Sequence, residues 1–185
     1  MEFVVVGWPE DGPQLDLDHR EFAYAGKFVM TNTGKAVARE DRETVAAVAF
    51  NADRTDESTA WLRYVTVRDD RRGEGIGAKL ADFATKRLLS RGFKRVRIAV
   101  NNPFAYEALY KAGFGFTGEE TGLAELVLER PTEGRTDRYR NGLSLFEDRD
   151  LPEDMAAFVD GRLPDGTPPE GNVAGSLSDR DNAYD

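Results

Sequence analysis

The run Ala60-Trp61-Leu62-Arg63-Tyr64-Val65-Thr66-Val67, continued by Arg68-Asp69-Asp70-Arg71-Arg72-Gly73-Glu74-Gly75-Ile76-Gly77-Ala78, carries a strand through a glycine turn into a helix. Its first eight residues are β-branched and aromatic and have the bounded length of a buried strand. Beyond the turn, Ile76, Leu80, Phe83, Ala84 and Leu88 recur at helical spacing until Arg91-Gly92, a helix stop. Three glycines at alternate positions let a ligand come close to the backbone, and the first N–H groups of a helix have no intrahelical partner. Free amides and the positive end of the helix dipole point the same way, which suits an anion. Arg72 adds a fixed positive charge beside them. The stretch reads as a cradle for a pyrophosphate.

Upstream, Phe3 to Trp8 is a first strand, ended by Pro9 and the turn residues Asp11-Gly12-Pro13. Asp18 with Glu21 forms a capping box that predicts a short helix through Phe22, Ala23 and Tyr24, stopped by Gly26. Lys35 to Glu40 and Thr44 to Phe50 read as a hairpin, and the charged linker Asn51 to Ser58 leads into the strand quoted above. Downstream of the helix, Val96, Ile98 and Val100 alternate with Arg95, Arg97 and Ala99 in a further strand. Asn101-Asn102-Pro103 breaks it, and Pro103 opens a helix over 103–112 that Gly113 ends. Residues 114–116 and 122–129 then read as a closing antiparallel pair. The fold class is α/β.

The 185 residues suffice for one domain with a sizeable core and an appendage. With no cysteine, disulfides, thiolate metal sites and a cysteine nucleophile are excluded, and the single His19 argues against a histidine-built metal centre. No metal is expected. No apolar run approaches a membrane span, and the N-terminus lacks a charged-then-apolar signal pattern, so the expectation is a cytoplasmic protein without a membrane partner. A formal net charge of −9 disfavours nucleic acid, which wants a basic face. The 19 Arg against 6 Lys, with 34 acidic residues, resemble a salt-adapted composition as much as an ordinary acidic one; unfolding followed from low to high KCl separates the two.

Three readings compete for the glycine turn. It is a turn without a ligand, or a dinucleotide site, because Gly73, Gly75 and Ala78 fit a relaxed G-x-G-x-x-A. A dinucleotide site wants an acidic residue at the end of the next strand, where this chain has Asn101-Asn102. In the third reading, Arg72-Gly73-Glu74-Gly75-Ile76-Gly77 resembles the coenzyme A turn of the GNAT family (Gcn5-related N-acetyltransferases), Gln/Arg-x-x-Gly-x-Gly/Ala after a strand. That family places an asparagine after the next strand, in Asn-x-x-Ala-x-x-x-Tyr-x-x-x-Gly-Phe. Asn102, Ala105, Gly113 and Phe114 fall on its positions. The resemblance spans roughly residues 3 to 130.

The resemblance implies a mixed, mostly antiparallel sheet with a central parallel splay, flanked by helices. It implies acetyl-CoA as acyl donor and an amine acceptor, small molecule or peptide, attacking directly. The amides of Gly73, Glu74, Gly75, Ile76, Gly77 and Ala78 would hold the pyrophosphate, and Val65, Thr66 and Val67 would orient the pantetheine arm and thioester. Asn102 would bond the pantetheine amides, although without the glycine turn upstream the helix N-cap reading would be favoured for it. The family's general-acid slot falls on Leu109, so the nearest hydroxyl, Tyr110, becomes the candidate acid; it stands about 100° around the helix. The family's base positions hold Trp61 and Arg97, and Glu107 is a candidate base by residue type only. His19, Tyr24 and Phe28 are candidate acceptor-wall residues, with ordinary packing as the competing reading. A non-catalytic acyl-CoA-binding module is the alternative that a missing base and a displaced tyrosine support.

Residues 1–130 thus read as the acetyltransferase domain, with Pro131 at its edge. In the extension 131–163, Tyr139, Leu143 and Phe146 share one helical face, and Met155, Phe158 and Val159 mark a second helix. The two are expected to pack back on the domain or on a partner chain, as in a homodimer. Residues 164–185, rich in Pro, Gly, Asp, Ser and Asn, are expected to be disordered.

Overall fold

A computed structural model of the 185-residue chain describes residues 1–171. Seven strands form one sheet in the order β1-β2-β3-β4-β5-β7-β6. They are β1 (Glu2–Gly7), β2 (Gly34–Glu40), β3 (Glu43–Ala52), β4 (Thr59–Val67), β5 (Arg95–Val100), β6 (Gly115–Glu120) and β7 (Leu126–Arg130). Every neighbouring pair is antiparallel except β4 with β5. Four helices accompany the sheet: α1 (Ile76–Ser90), α2 (Pro103–Lys111), α3 (Arg135–Ser144) and α4 (Glu153–Arg162). The parallel pair needs a crossover, and α1 supplies it. Its Ile76, Leu80, Ala84 and Leu88 bury against Ala36, Val48, Phe50 and Leu62 of the sheet. Among the described residues, no helix is long and apolar enough to cross a membrane.

The helices after Pro131 share this main core. Tyr139, Leu143 and Phe146 are fully buried in it with Tyr106, Tyr110 and Phe116, and Val159 of α4 joins them. The Tyr106 hydroxyl donates to the Tyr139 carbonyl at 2.8 Å, tying α2 to α3. The extension therefore packs back on the domain. Of the tail expected to be disordered, residues 172–185 lie outside the described residues.

Two local expectations are corrected. Residues 18–24 form turns, not a helix, and only a short 3-10 turn follows at Ala25–Lys27. Asp18 accepts from the Arg20 N–H at 2.9 Å and pairs with its guanidinium at 2.7 Å, a local alternative to helix. The segment is held instead by a buried cation: Lys35 Nζ donates to the carbonyls of Pro13 at 2.5 Å, Thr33 at 3.0 Å, and Met30. The last strand starts at Leu126, not at residue 122. Thr121 Oγ1 accepts the N–H groups of Leu123 and Glu125, and Ala124 turns left-handed at φ 59°.

Candidate functional site

The parallel pairing of β4 and β5 runs from Thr59 opposite Arg95 to Leu62 opposite Ile98 and stops there. On its other edge, β4 carries a bulge against β3: Ala49 faces Tyr64 and Phe50 faces Leu62, so Arg63 is the extra residue. A bulge sharpens twist and re-aims side chains. It puts Leu62, Val65 and Val67 on the main-core face and Tyr64 on the opposite one. Beyond Leu62 the inner edges of the two strands have no strand partner, and the fork holds a cavity of about 330 Å³. Tyr64, Val65, Val100, Asn102 and Leu109 line it. It opens into a groove of about 600 Å³ along the start of α1, walled by Val67, Gly73, Gly75, Phe104, Ala108 and Lys111. Tyr24, Val65, Gly77, Ala78, Asn102 and Ala105 border both, so the two are one channel.

The glycine turn closes the far end of that channel. Gly73 and Gly75 are left-handed, at φ +84° and +75°, and a Cβ on either would meet nothing within 4 Å. They are glycine for conformation. Gly77 is glycine for a different reason: its Cβ would lie 3.2 Å from Val67 Cγ2. Its bare Cα lets the first turn of α1 sit against β4. Among the described residues, no acceptor is found for the N–H groups of Gly73 through Ala78, and no side chain caps α1. Six donors with the helix dipole behind them fit a pyrophosphate. The side chains of Ile76 and Ala78 are buried in the core, so these residues offer only backbone to a ligand. Glu74 likewise offers only its N–H, since its carboxylate holds Arg71 at 2.9 Å, and Arg71 also pairs with Glu40 at 2.5 Å. Arg72 is exposed and bridges to Asp69 at 2.6 Å, a surface pair that an incoming phosphate can outcompete. Lys111 is a further groove cation, one the motifs did not single out. Its signal lay in the stripe Phe104, Ala105, Ala108, Lys111 of α2, spaced three and four apart.

Val65, Thr66 and Val67 all line the channel, and the buried Thr66 hydroxyl has no hydrogen-bond partner among the described residues. Asn102 is a helix N-cap. Its Oδ1 caps α2 by accepting the Ala105 N–H at 2.8 Å, and its residue borders both halves of the channel with the amide NH₂ donating to nothing among the described residues.

Tyr110 is corrected as the acid. It is fully buried, its hydroxyl donates to the Arg135 carbonyl at 3.1 Å and accepts the Phe116 N–H at 2.9 Å. The hydroxyl therefore ties α2 to β6 and α3 on the core side of the helix, and burial pushes its pKa up. Leu109, not Tyr110, borders the fork. Glu107 is also committed: it accepts from the Tyr139 hydroxyl at 2.5 Å and pairs with Arg162 at 2.5 Å. Trp61 donates to Asp53 at 2.6 Å and Arg97 pairs with Glu129 at 3.0 Å, so neither base position is a base. Among the three wall candidates, Phe28 is core, His19 points to solvent, and Tyr24 borders the channel with its backbone left-handed at φ 61°. Tyr24 and Tyr64, with ring centroids 5.8 Å apart, are the tyrosines that line the fork. Among the described residues no group of three His, Asp or Glu is arranged to hold a metal.

The sequence matches the profile of the acetyltransferase (GNAT) family over residues 2–116. Among curated proteins, none matches the chain. Among solved structures it is similar to an N-acetyltransferase from Staphylococcus aureus Mu50, with TM-score 0.47 and 16% identity over 52% of this chain and 66% of that one. It is also similar to the PaiA N-acetyltransferase from Thermoplasma acidophilum in complex with coenzyme A, with TM-score 0.44 and 21% identity over 51% of this chain and 58% of that one. A GCN5-related N-acetyltransferase from Kribbella flavida gives TM-score 0.47 and 22% identity over 54% of this chain and 68% of that one. The first two alignments span less than two thirds of those chains. The profile match covers well over half of the present chain, from β1 into β6, and takes in the fork, the glycine turn and Asn102. The chain belongs to the acetyltransferase (GNAT) family.

Proposed function

We propose that this protein transfers an acetyl group from acetyl-CoA to an amine. The observation that carries the reading is the single channel from the open fork of β4 and β5 to the unpartnered N–H groups of residues 73–78. Its two parts match the two ends of the donor. The amides of Gly73 to Ala78, with Arg72 and Lys111 nearby, hold the pyrophosphate end. Val65, Val67, Asn102 and Leu109 wall the pantetheine arm, and an inner-edge amide of β4 polarises the thioester carbonyl.

Acetyl-CoA supplies an acyl carbon with a thiolate leaving group. The amine nitrogen attacks that carbon, the C–N bond forms as the C–S bond breaks, and one N–H proton is lost while the thiolate gains one. Neither Tyr110 nor Glu107 is placed for those transfers, so water or the hydroxyls of Tyr24 and Tyr64 carry them, and the acceptor enters as the neutral amine. A cytoplasmic site of action belongs to the same reading.

Titration calorimetry with acetyl-CoA and with NADH, followed by CoA release over a panel of amines, tests it. Acetyl-CoA binding with amine-dependent CoA release is expected. Binding of NADH alone contradicts the reading, and acetyl-CoA binding without release to any amine reduces the protein to a binding module.

A further inference from the structure

A second cavity, of about 570 Å³, adjoins the fork. Arg63 and Tyr64 line both, so a molecule with its nitrogen at the fork extends into this space. Its charge runs against the rest of the molecule. The chain carries a net −9, yet the wall holds three cations, Lys27, Arg54 and Arg63, against one carboxylate, Asp53. That carboxylate is already occupied. It accepts the Thr55 N–H at 2.8 Å, the Thr55 hydroxyl at 2.9 Å and the Trp61 indole N–H at 2.6 Å.

Several arginines elsewhere are tied to acids, as Arg68 to Asp70, Arg71 to Glu40 and Arg97 to Glu129. Among the described residues, none of the three cavity cations is paired with a carboxylate. Arg63 is the bulge residue, aimed by the break in β4 register, with its Nε donating to Asn51 Oδ1 at 2.7 Å and its guanidinium 5.2 Å from the Trp61 ring centroid. That leaves its two terminal nitrogens for a ligand. Desolvation by these neighbours holds its pKa below the ordinary value, the situation an incoming anion relieves. Lys27 lies 5.8 Å from the Tyr64 ring centroid on the same wall.

We propose that this cavity selects an acceptor that carries a carboxylate as well as its amine, an amino-acid-type substrate, with Arg63 gripping the carboxylate and Lys27 and Arg54 adding to the field. A guanidinium fork matches a carboxylate in two parallel hydrogen bonds, which places the nitrogen as well as holding the molecule. Simple diamines and polyamines are repelled by the same three charges.

The proposal rests on the acetyl-transfer reading, so the test separates the two. Phenylalanine and phenethylamine, tyrosine and tyramine, lysine and cadaverine are titrated onto the full chain with and without CoA, and each is assayed for CoA release from acetyl-CoA. For at least one pair, the amino acid should bind and react about tenfold or more better than its decarboxylated amine. Arg63→Gln should bring that ratio down by about tenfold, and Lys27→Gln with Arg54→Gln should bring it down by a smaller factor. Acetyl-CoA affinity in the double variant, whose residues line only the second cavity, serves as the check on the donor site. Decarboxylated amines that match or beat their amino acids in every pair, or the absence of binding by any pair member, overturn the proposal. Failure of acetyl-CoA itself to bind overturns the acetyl-transfer reading instead.

Discussion

Two glycines two residues apart, Gly75 and Gly77, do different work, and substitution should tell them apart. Gly75 sits at φ +75° in open space, so Gly75→Ala pushes the turn out of the left-handed region, at a strain of about 1–2 kcal/mol, and rotates the cradle amides away. Acetyl-CoA affinity should fall at least ~10-fold while the fold survives, as read by calorimetry and circular dichroism. Gly77→Val instead drives a side chain into Val67, whose Cγ2 is 3.2 Å from the position of a Cβ, and should cost stability by about 1–3 kcal/mol in urea unfolding. The turn itself was legible in the spacing of its glycines; the division of labour between them was not, because it depends on how closely β4 passes. Tyr110 illustrates the converse. In sequence it is the hydroxyl nearest the empty slot at Leu109, but α3 arrives from outside the motif and seals it. Tyr110→Phe leaves the Phe116 N–H and Arg135 carbonyl without their partner, so stability should drop by about 1–3 kcal/mol. Loss of a general acid would cut turnover by about 10²–10⁴, whereas this variant should stay within about threefold of the parent in CoA release.

At the scale of elements, the loop from Asp53 to Thr59 links the second cavity to β4 and is stitched by two aspartates. Asp56 accepts from the Ser58 hydroxyl at 2.6 Å and the Thr59 hydroxyl at 2.7 Å, which lower its pKa from 3.8 to about 2. Asp53 is lowered as well, first by the Thr55 N–H and then by the Trp61 indole. A carboxyl whose folded pKa lies below its unfolded one stabilises above the unfolded value and loses that contribution as pH falls through the folded one. The loop should therefore be unchanged from pH 7 down to about 4 and loosen between about 4 and 2. The backbone N–H resonance of Ser58, which donates to Asp56 at 2.9 Å, reports it; a signal already shifted near pH 5, or unmoved at pH 2, contradicts the expectation. The strands and α1 were readable because alternation and helical spacing there coincide with burial. Residues 14–33 were not, since their order comes from Lys35, beyond the segment, joining the carbonyl of Pro13 at its start to those of Met30 and Thr33 at its end. The bulge at Arg63 left no local mark either: it is a property of the β3–β4 register, and it is what turns an ordinary strand arginine toward the second cavity.

For the molecule as a whole, Pro131 marks a change of composition without marking an end of the core. Tyr139, Leu143 and Phe146 are fully buried against α2 and β6, so a chain ending at Arg130 would expose Tyr106, Tyr110 and Phe116. That truncation should fail to give a cooperative unfolding transition, where the full chain gives one. The two helices were readable in sequence, although Phe146 falls in the turns just after α3; what they cover could not be read, because the partner surface is assembled from residues some thirty positions upstream. The channel between the fork and the glycine turn is likewise a property of the assembled sheet, and it carries the central claim. Acetyl-CoA added to uniformly labelled protein, followed by backbone amide NMR, tests that claim most directly. One-to-one binding is expected, with the largest shifts at Arg63 to Val67, Gly73 to Ala78 and Asn102. Absence of binding, or shifts that map to another face while these amides stay still, would contradict it.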